Sequence, residues 1–212
     1  FGLEPDIIAT SKALSGGYVP VAATICRRQV YQAVFSSMER AWVHSSSFGR
    51  NNLAMAAGLA TLSVIDDAHM LRRSAEQGAK LRDGINSLAG HHEVLKEARG
   101  VGCLVAIELQ RPTGTTRRLA WDAVHAMHQG LYPQMVVMPL LDRHRIITQV
   151  TGRADPIIRL MPPFVISDDD IRWFVDALDD VLARSHRVAA PLAGMGRSAL
   201  KVTLSGRRRQ RA

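Results

Sequence analysis

Apolar positions along the first 35 residues fall into two short runs. Ile7, Ile8 and Ala9 make the first, and Val21, Ala22, Ala23, Thr24 and Ile25 the second. Both are short and the second is rich in β-branched residues, which predicts strand, loop and strand, with a helix to about Phe35. Ser36 to Ser47 reads as a loop. From Gly49 to about Ile65 the run NNLAMAAGLATLSVI predicts a long helix. Asp66 and Asp67 interrupt it. A second helix follows, with Ala68, Leu71, Ala75, Leu81, Ile85 and Leu88 near helical spacing as its buried face.

Beyond Gly90 the pattern changes. EVLKEARGVGCLVAIEL predicts two short strands about a turn at Arg99–Gly102, and a helix runs from about Thr116 to Gly130. PQMVVMPLL, HRIITQV and PIIRLMPP read as strands or extended segments, with Met135 and Met138 in the core. Ser167 and Asp170 form a capping box with Asp in the usual Glu position, and three acids open the last helix. Its buried face is Ile171, Phe174, Val175, Leu178, Val181 and Leu182. Trp121 and Trp173 sit at helical positions and should pack. The alternation predicts an α/β first part, 1–66, and a smaller α+β domain, 67–190.

Composition narrows the class. Hydrophobic residues make up 47% of 212 and charged residues 22%, as in a packed globular protein. The formal charge of +8 is concentrated at one end, where six basic residues and no acids follow from Arg197. The rest carries 21 basic and 19 acidic residues, so the body is nearly neutral. Residues 191–212 therefore read as a solvated, disordered tail rather than a nucleic-acid contact. The apolar helix near Leu53 is shorter than a membrane span. Cys26 and Cys103 lie far apart in apolar runs and read as buried free thiols of a cytoplasmic protein. No Cys/His set has metal-ligand spacing, and His91, His92, His125, His128 and His144 read as surface or partly satisfied residues.

The candidate chemistry centres on Lys12. A lysine amine is nucleophilic only when neutral, and a partly desolvated cleft at a strand end lowers its pKa enough for Schiff-base formation. Ala13, Ser15, Gly16 and Gly17 leave room for a flat ligand and a sharp turn. Ser46 and Ser47, just before a helix, are suited to a phosphate. Arg159, flanked by Ile157, Ile158, Leu160 and Met161, would be expensive to bury unpaired, which favours an anionic partner or substrate.

Four segments, in order, resemble the class III aminotransferases, the pyridoxal-phosphate enzymes that include ornithine and acetylornithine aminotransferase. They are TSKALSGGYVP, VHSSSFGRNNLAMAAGLATLSVI, RGVGCLVAIEL and IIRLMPPFVISDDDI. The resemblance implies a fold-type I pyridoxal-phosphate-dependent transferase, with a partial large domain and connecting helix over 1–66 and the small domain over 67–190. It implies Lys12 as the Schiff-base lysine and proton carrier, and Ser47, with Ser46 beside it, as the hydroxyl reaching the cofactor phosphate of the other subunit of a homodimer. It implies Arg159 as the carboxylate-binding residue. The reaction would move an amino group from an amine or amino acid to a 2-oxo acid. Ser45, Ser47 and Asn52 depart from the family's usual Gly, Thr and Pro. Members are about twice as long, so the chain reads as a C-terminal portion. Two other readings stand beside this one: an inactive dimerisation or interaction module, and another pyridoxal-phosphate enzyme of the same fold.

Overall fold

A computed structural model describes residues 2–128, 130–151 and 156–185. The basic tail, 191–212, lies outside the described residues. The chain divides into two compact units, Phe1–Leu71 and Arg72–Ala212.

In the first unit, β1 (Ile7–Thr10) pairs antiparallel with β2 (Ala23–Cys26), Ile7 opposite Cys26 and Thr10 opposite Ala23. A short helix, α1 (Arg28–Val34), follows β2. The long helix α2 runs over Asn52–Asp67, three residues later than its expected start. Asn51 decides this: its side-chain Oδ1 accepts the backbone N–H groups of Leu53 and Ala54 at 2.9 and 3.2 Å, two donors that a helix start leaves unpaired.

The second unit is a four-stranded antiparallel sheet with helices. β3 (Leu95–Val101), β4 (Leu104–Leu109), β5 (Gln149–Thr151) and β6 (Ile157–Leu160) stand in the order β3-β4-β6-β5. β3 and β4 meet in a two-residue turn at Gly102 and Cys103, tighter than expected, with Gly102 in the left-handed region at φ 52°. Ala98, Val105, Ile107, Ile158 and Leu160 turn to the core. There they meet Leu81 and Ile85 of α3 (Met70–Ser87), Val136 and Leu140 of α5 (Leu131–His144), and Phe174, Leu178 and Leu182 of α6 (Asp168–Ser185). Helix α4 (Thr115–Met127) adds Trp121 and Val124.

Helix α6 matches its sequence pattern. Ser167 N–H donates to Asp170 Oδ2 at 3.0 Å and Asp170 N–H to Ser167 Oγ at 3.1 Å, the reciprocal capping box. Of the expected face, Ile171, Phe174, Leu178, Val181 and Leu182 are buried, with Ala177 among them and Val175 half-buried.

Segment PQMVVMPLL is a helix and not a strand. In α5 the buried Tyr132, Val136 and Leu140 recur every fourth position, a helical stripe that packing enforces over the β preference of the valines. Pro133 lies in the first turn, where a missing N–H costs nothing, and the helix carries Pro139 in its interior. Met135 packs on the core, whereas Met138 is exposed. The inner face of α3 is also different from expectation. Leu71 and Ala75 face solvent, and Ser74, Gln77 and Gly78 are buried with Leu81 and Ile85.

Gly78 explains this polar, small-residue face, because a Cβ there would lie 1.9 Å from the Gly102 carbonyl oxygen. The helix comes so close to the β3–β4 turn that only backbone and short polar groups fit. Ser74 Oγ accepts the Cys103 N–H at 3.1 Å and Arg82 Nη1 donates to Gly102 O at 3.2 Å. Three smaller expectations also change. Trp173 is half exposed while Trp121 is buried. His92 is buried, its Nε2 2.6 Å from Asp179 Oδ1 across to α6. Cys103 is buried, but Cys26, at the end of a two-stranded ribbon, is only half-buried, and both are free. Among the described residues no helix is long and apolar enough to cross a membrane, and no group of His, Cys, Asp and Glu could hold a metal ion.

Candidate active site

β1 delivers the chain to Ser11, fully extended at φ −163°, and Lys12 follows in the left-handed region at φ 59°. That conformation costs a non-glycine residue about 1–2 kcal/mol, so the neighbouring structure must hold it. Lys12 opens a 3-10 turn, Lys12–Ser15, and Gly16 and Gly17 at φ 65° and 87° swing the chain away. Both glycines are needed there for their backbone angles.

The turn seats on α2. A Cβ at Gly58 would lie 3.8 Å from the Leu14 carbonyl, and one at Gly16 would lie 3.6 Å from Thr61 Oγ1. Among the described residues of the first unit, Ser15, Ala54 and Gly58 alone are buried. The best-packed point of that unit is therefore the support of the lysine turn.

Lys12 itself is exposed, so the expected desolvated cleft is not formed by the described residues of the first unit. The reason is the thinness of the ribbon. β1 and β2 make a two-stranded sheet whose Ile7, Ile8 and Ile25 are themselves open to solvent, and no described residue of that unit roofs the amine.

Ser46 and Ser47 are exposed in the segment that leads into α2. The Ser46 carbonyl accepts the Gly49 N–H at 3.0 Å, closing a turn over 46–49. Neither serine caps the helix; Asn51 does. Their hydroxyls remain available, but one further turn separates Ser47 from the helix start. Arg50, also at positive φ, places its guanidinium 5.7 Å from the Trp42 ring centroid.

In the second unit, Arg159 stands on β6 opposite Ala106 and Gln149, between the core residues Ile158 and Leu160. Its Nη2 donates to the side-chain carbonyl of Gln149. Its Nε is buried without a hydrogen-bond partner among the described residues, and so is Thr148 Oγ1. Both residues line a cavity of about 460 Å³ with Ile146, Met161, Pro163 and Trp173.

Neighbouring charges on strands β3 and β4 are already matched. Lys96 Nζ and Arg99 Nε reach the two oxygens of Glu108 at 2.6 and 3.2 Å. The Lys96 hydrogen bond holds the Glu108 carboxyl below the usual range, against the opposing effect of burial. Arg159 has no such carboxylate among the described residues. A planar guanidinium with an unmatched N–H on a cavity wall is a fitting receptor for a carboxylate.

Residues 1–182 match the family Aminotransferase class-III. The chain belongs to the class-III aminotransferase family. It is 32% identical over 189 residues to a diaminobutyrate–2-oxoglutarate aminotransferase of Rhizobium meliloti (strain 1021), covering 89% of this chain and 38% of that protein. Among solved structures, the ornithine aminotransferase from Toxoplasma gondii ME49 superposes with a TM-score of 0.69 at 29% identity, covering 88% of this chain and 38% of that one. The acetylornithine aminotransferase from Elizabethkingia anophelis gives 0.63 at 28%, covering 86% and 42%. The fold is that of the fold-type I pyridoxal-phosphate-dependent aminotransferases, and the chain spans between a quarter and two fifths of the curated relatives it matches.

Sequence reasoning named Lys12, Ser46, Ser47 and Arg159 but passed over Asn51, Thr148, Gln149 and the packing role of Gly58. An Asn directly before an apolar helical run is a cap signal, so Asn51 was available. Gln149 and Thr148 carried none, because their importance comes from strand pairing with β6.

Proposed function

We propose that this chain is part of a pyridoxal-phosphate-dependent aminotransferase that moves an amino group from an amine or amino acid to a 2-oxo acid. One observation carries the reading: in a chain of this family, the lysine after β1 is held in a strained backbone on a turn packed against α2.

The residues present fit the cofactor's chemistry: one amine on a fixed turn, and two free hydroxyls before a helix. When bound, pyridoxal phosphate supplies an aldehyde that condenses with amines and a ring that withdraws electrons. Lys12 would hold the cofactor through its Nζ, and the same amine would carry the proton from the substrate's α-carbon. Ser46 and Ser47 contribute hydroxyls to the phosphate, Ser47 to that of the partner subunit. Arg159 binds the substrate carboxylate, supported by its unmatched Nε.

Homodimer formation is part of the proposal. Tyr18, Met38, Trp42 and Phe48 in the first unit are largely exposed, a density of apolar surface that further protein should cover. The unpaired thiols suit a cytoplasmic location.

The test is reduction of the intact protein with borohydride in the presence of pyridoxal phosphate, then peptide mapping. The label is expected on the peptide containing Lys12, and Lys12→Ala should lose both label and transamination. A label on another lysine, or full activity of Lys12→Ala, refutes the proposal.

A further inference from the structure

We propose that Ser15 is a positioning residue for Lys12, a hydroxyl latch that keeps the lysine turn closed over α2. This rests on Lys12 being the residue that holds the cofactor.

Ser15 is 2% exposed, which for a serine requires both hydrogen-bonding roles to be filled. They are filled by a single residue. Ser15 Oγ donates to the Val19 carbonyl at 2.5 Å and accepts the Val19 N–H at 3.2 Å. The hydroxyl thus replaces a backbone pair and closes residues 15–19 into a loop. Tyr18 N–H reaches back to the Ser15 carbonyl at 3.4 Å, and Gly16 N–H to Ala13 at 2.9 Å.

The latch matters because of what lies on its two sides. On one is the 3-10 turn that begins at Lys12 in a left-handed conformation. On the other, Gly16 and Gly17 at positive φ have no side chains to restrain them, and a Cβ at Gly17 would meet nothing within 4 Å. Gly16 is tied by its N–H to Ala13, but Gly17 is open, and through it the strain at Lys12 would relax by opening the turn. Ser15 is the side chain between them that is fastened. It is buried with Ala54 and Gly58 of α2, so the fastened point is also the seated one.

Removing the hydroxyl should loosen where the lysine is held without unfolding the helix beneath it. The intact protein is compared with Ser15→Ala and Ser15→Thr. Three quantities are measured: pyridoxal phosphate affinity, the pH at which the absorption band of the lysine-bound cofactor changes, and α-helical melting by circular dichroism. Ser15→Ala, which loses both hydrogen bonds to Val19, is expected to weaken cofactor affinity about tenfold and to shift the spectral titration. Ser15→Thr, which keeps the hydroxyl, should restore both. The melting curve should move little in either.

Gly58→Leu supplies a second route, since it presses on the Leu14 carbonyl from below and leaves the Ser15 hydroxyl intact; it should shift the spectral titration too. Unchanged affinity and titration in Ser15→Ala overturn the latch, as does failure of Ser15→Thr to restore them. If the wild-type protein carries no cofactor on Lys12, the assignment of the lysine itself fails, a result distinct from a silent Ser15.

Discussion

Gly78→Ala in α3 should be strongly destabilising, although alanine is the better helix former. Replacing a helical glycine with alanine ordinarily gains about 0.5–1 kcal/mol. Here the new Cβ would stand 1.9 Å from the Gly102 oxygen, 2.2 Å from its carbonyl carbon and 3.0 Å from Cys103 N. All three are backbone atoms that no rotamer change can move. To reach normal contact the β3–β4 turn must retreat by on the order of 1.5 Å. That breaks the Ser74–Cys103 and Arg82–Gly102 hydrogen bonds, about 1 kcal/mol each. Overpacking adds about 1–3 kcal/mol. The balance is a net loss of about 2–4 kcal/mol.

The series Gly78→Ala, Gly84→Ala and Gly58→Ala separates space from propensity. At Gly84 the obstacle is Val175 Cγ2 at 2.9 Å, a stiff side chain on α6 but not backbone, so the change should cost less than at Gly78, about 1–2 kcal/mol. At Gly58 the nearest atom lies at 3.8 Å, ordinary contact, and the propensity gain should survive. The assay is urea unfolding followed by circular dichroism and by tryptophan emission, in which buried Trp121 reports on the second unit. A Gly78→Ala protein as stable as wild type, with an unchanged denaturant slope, would refute the close approach of α3 to the turn.

Arg159→Gln should raise KM for carboxylate-bearing substrates about 10- to 100-fold, the range for a lost charge-assisted hydrogen bond, with a smaller effect on kcat; steady-state kinetics on donors with and without the carboxylate decides this. On α6, Leu178→Ala should cost about 2–5 kcal/mol and Trp173→Ala under about 1 kcal/mol, because Leu178 is fully enclosed and Trp173 is half exposed. Several carboxyl groups have folded pKa values below their ordinary ones: Asp168 through Lys80 and then Gln77, Asp180 through Arg184 and then His144, Glu108 through Lys96. Their stabilisation is fully present above the unfolded carboxylate value, about pH 4, and is lost as pH falls through the depressed folded values. The urea midpoint should therefore drop on acidification below about pH 4, and less steeply in high salt, since the basic partners Lys80, Lys96 and Arg184 are about half exposed.

Local signals on this chain were strong wherever one neighbour in sequence sufficed. Ser167 and Asp170 satisfy each other's backbone, so the start of α6 was readable, and the 3.6-residue spacing of Ile171, Phe174, Leu178 and Val181 named its buried side. The strand pair around Gly102 and the turn of small residues after Lys12 were equally legible, as was the family, because four ordered segments preserve it. Tertiary structure decided the rest. PQMVVMPLL has a valine pair and two prolines that favour extended chain, and only burial of every fourth residue against the sheet makes it α5. The polar inner face of α3 exists because a backbone turn from elsewhere in the second unit presses on Gly78. Arg159 could be named from sequence, but its Gln149 partner and its unmatched Nε arise from strand register. The exposure of Lys12 follows from a two-stranded ribbon too thin to cover its own lysine. Hydrogen bonds and caps within a few residues are encoded locally, whereas burial is a property of what the fold brings alongside, and the chemistry of a lysine or a guanidinium depends on burial.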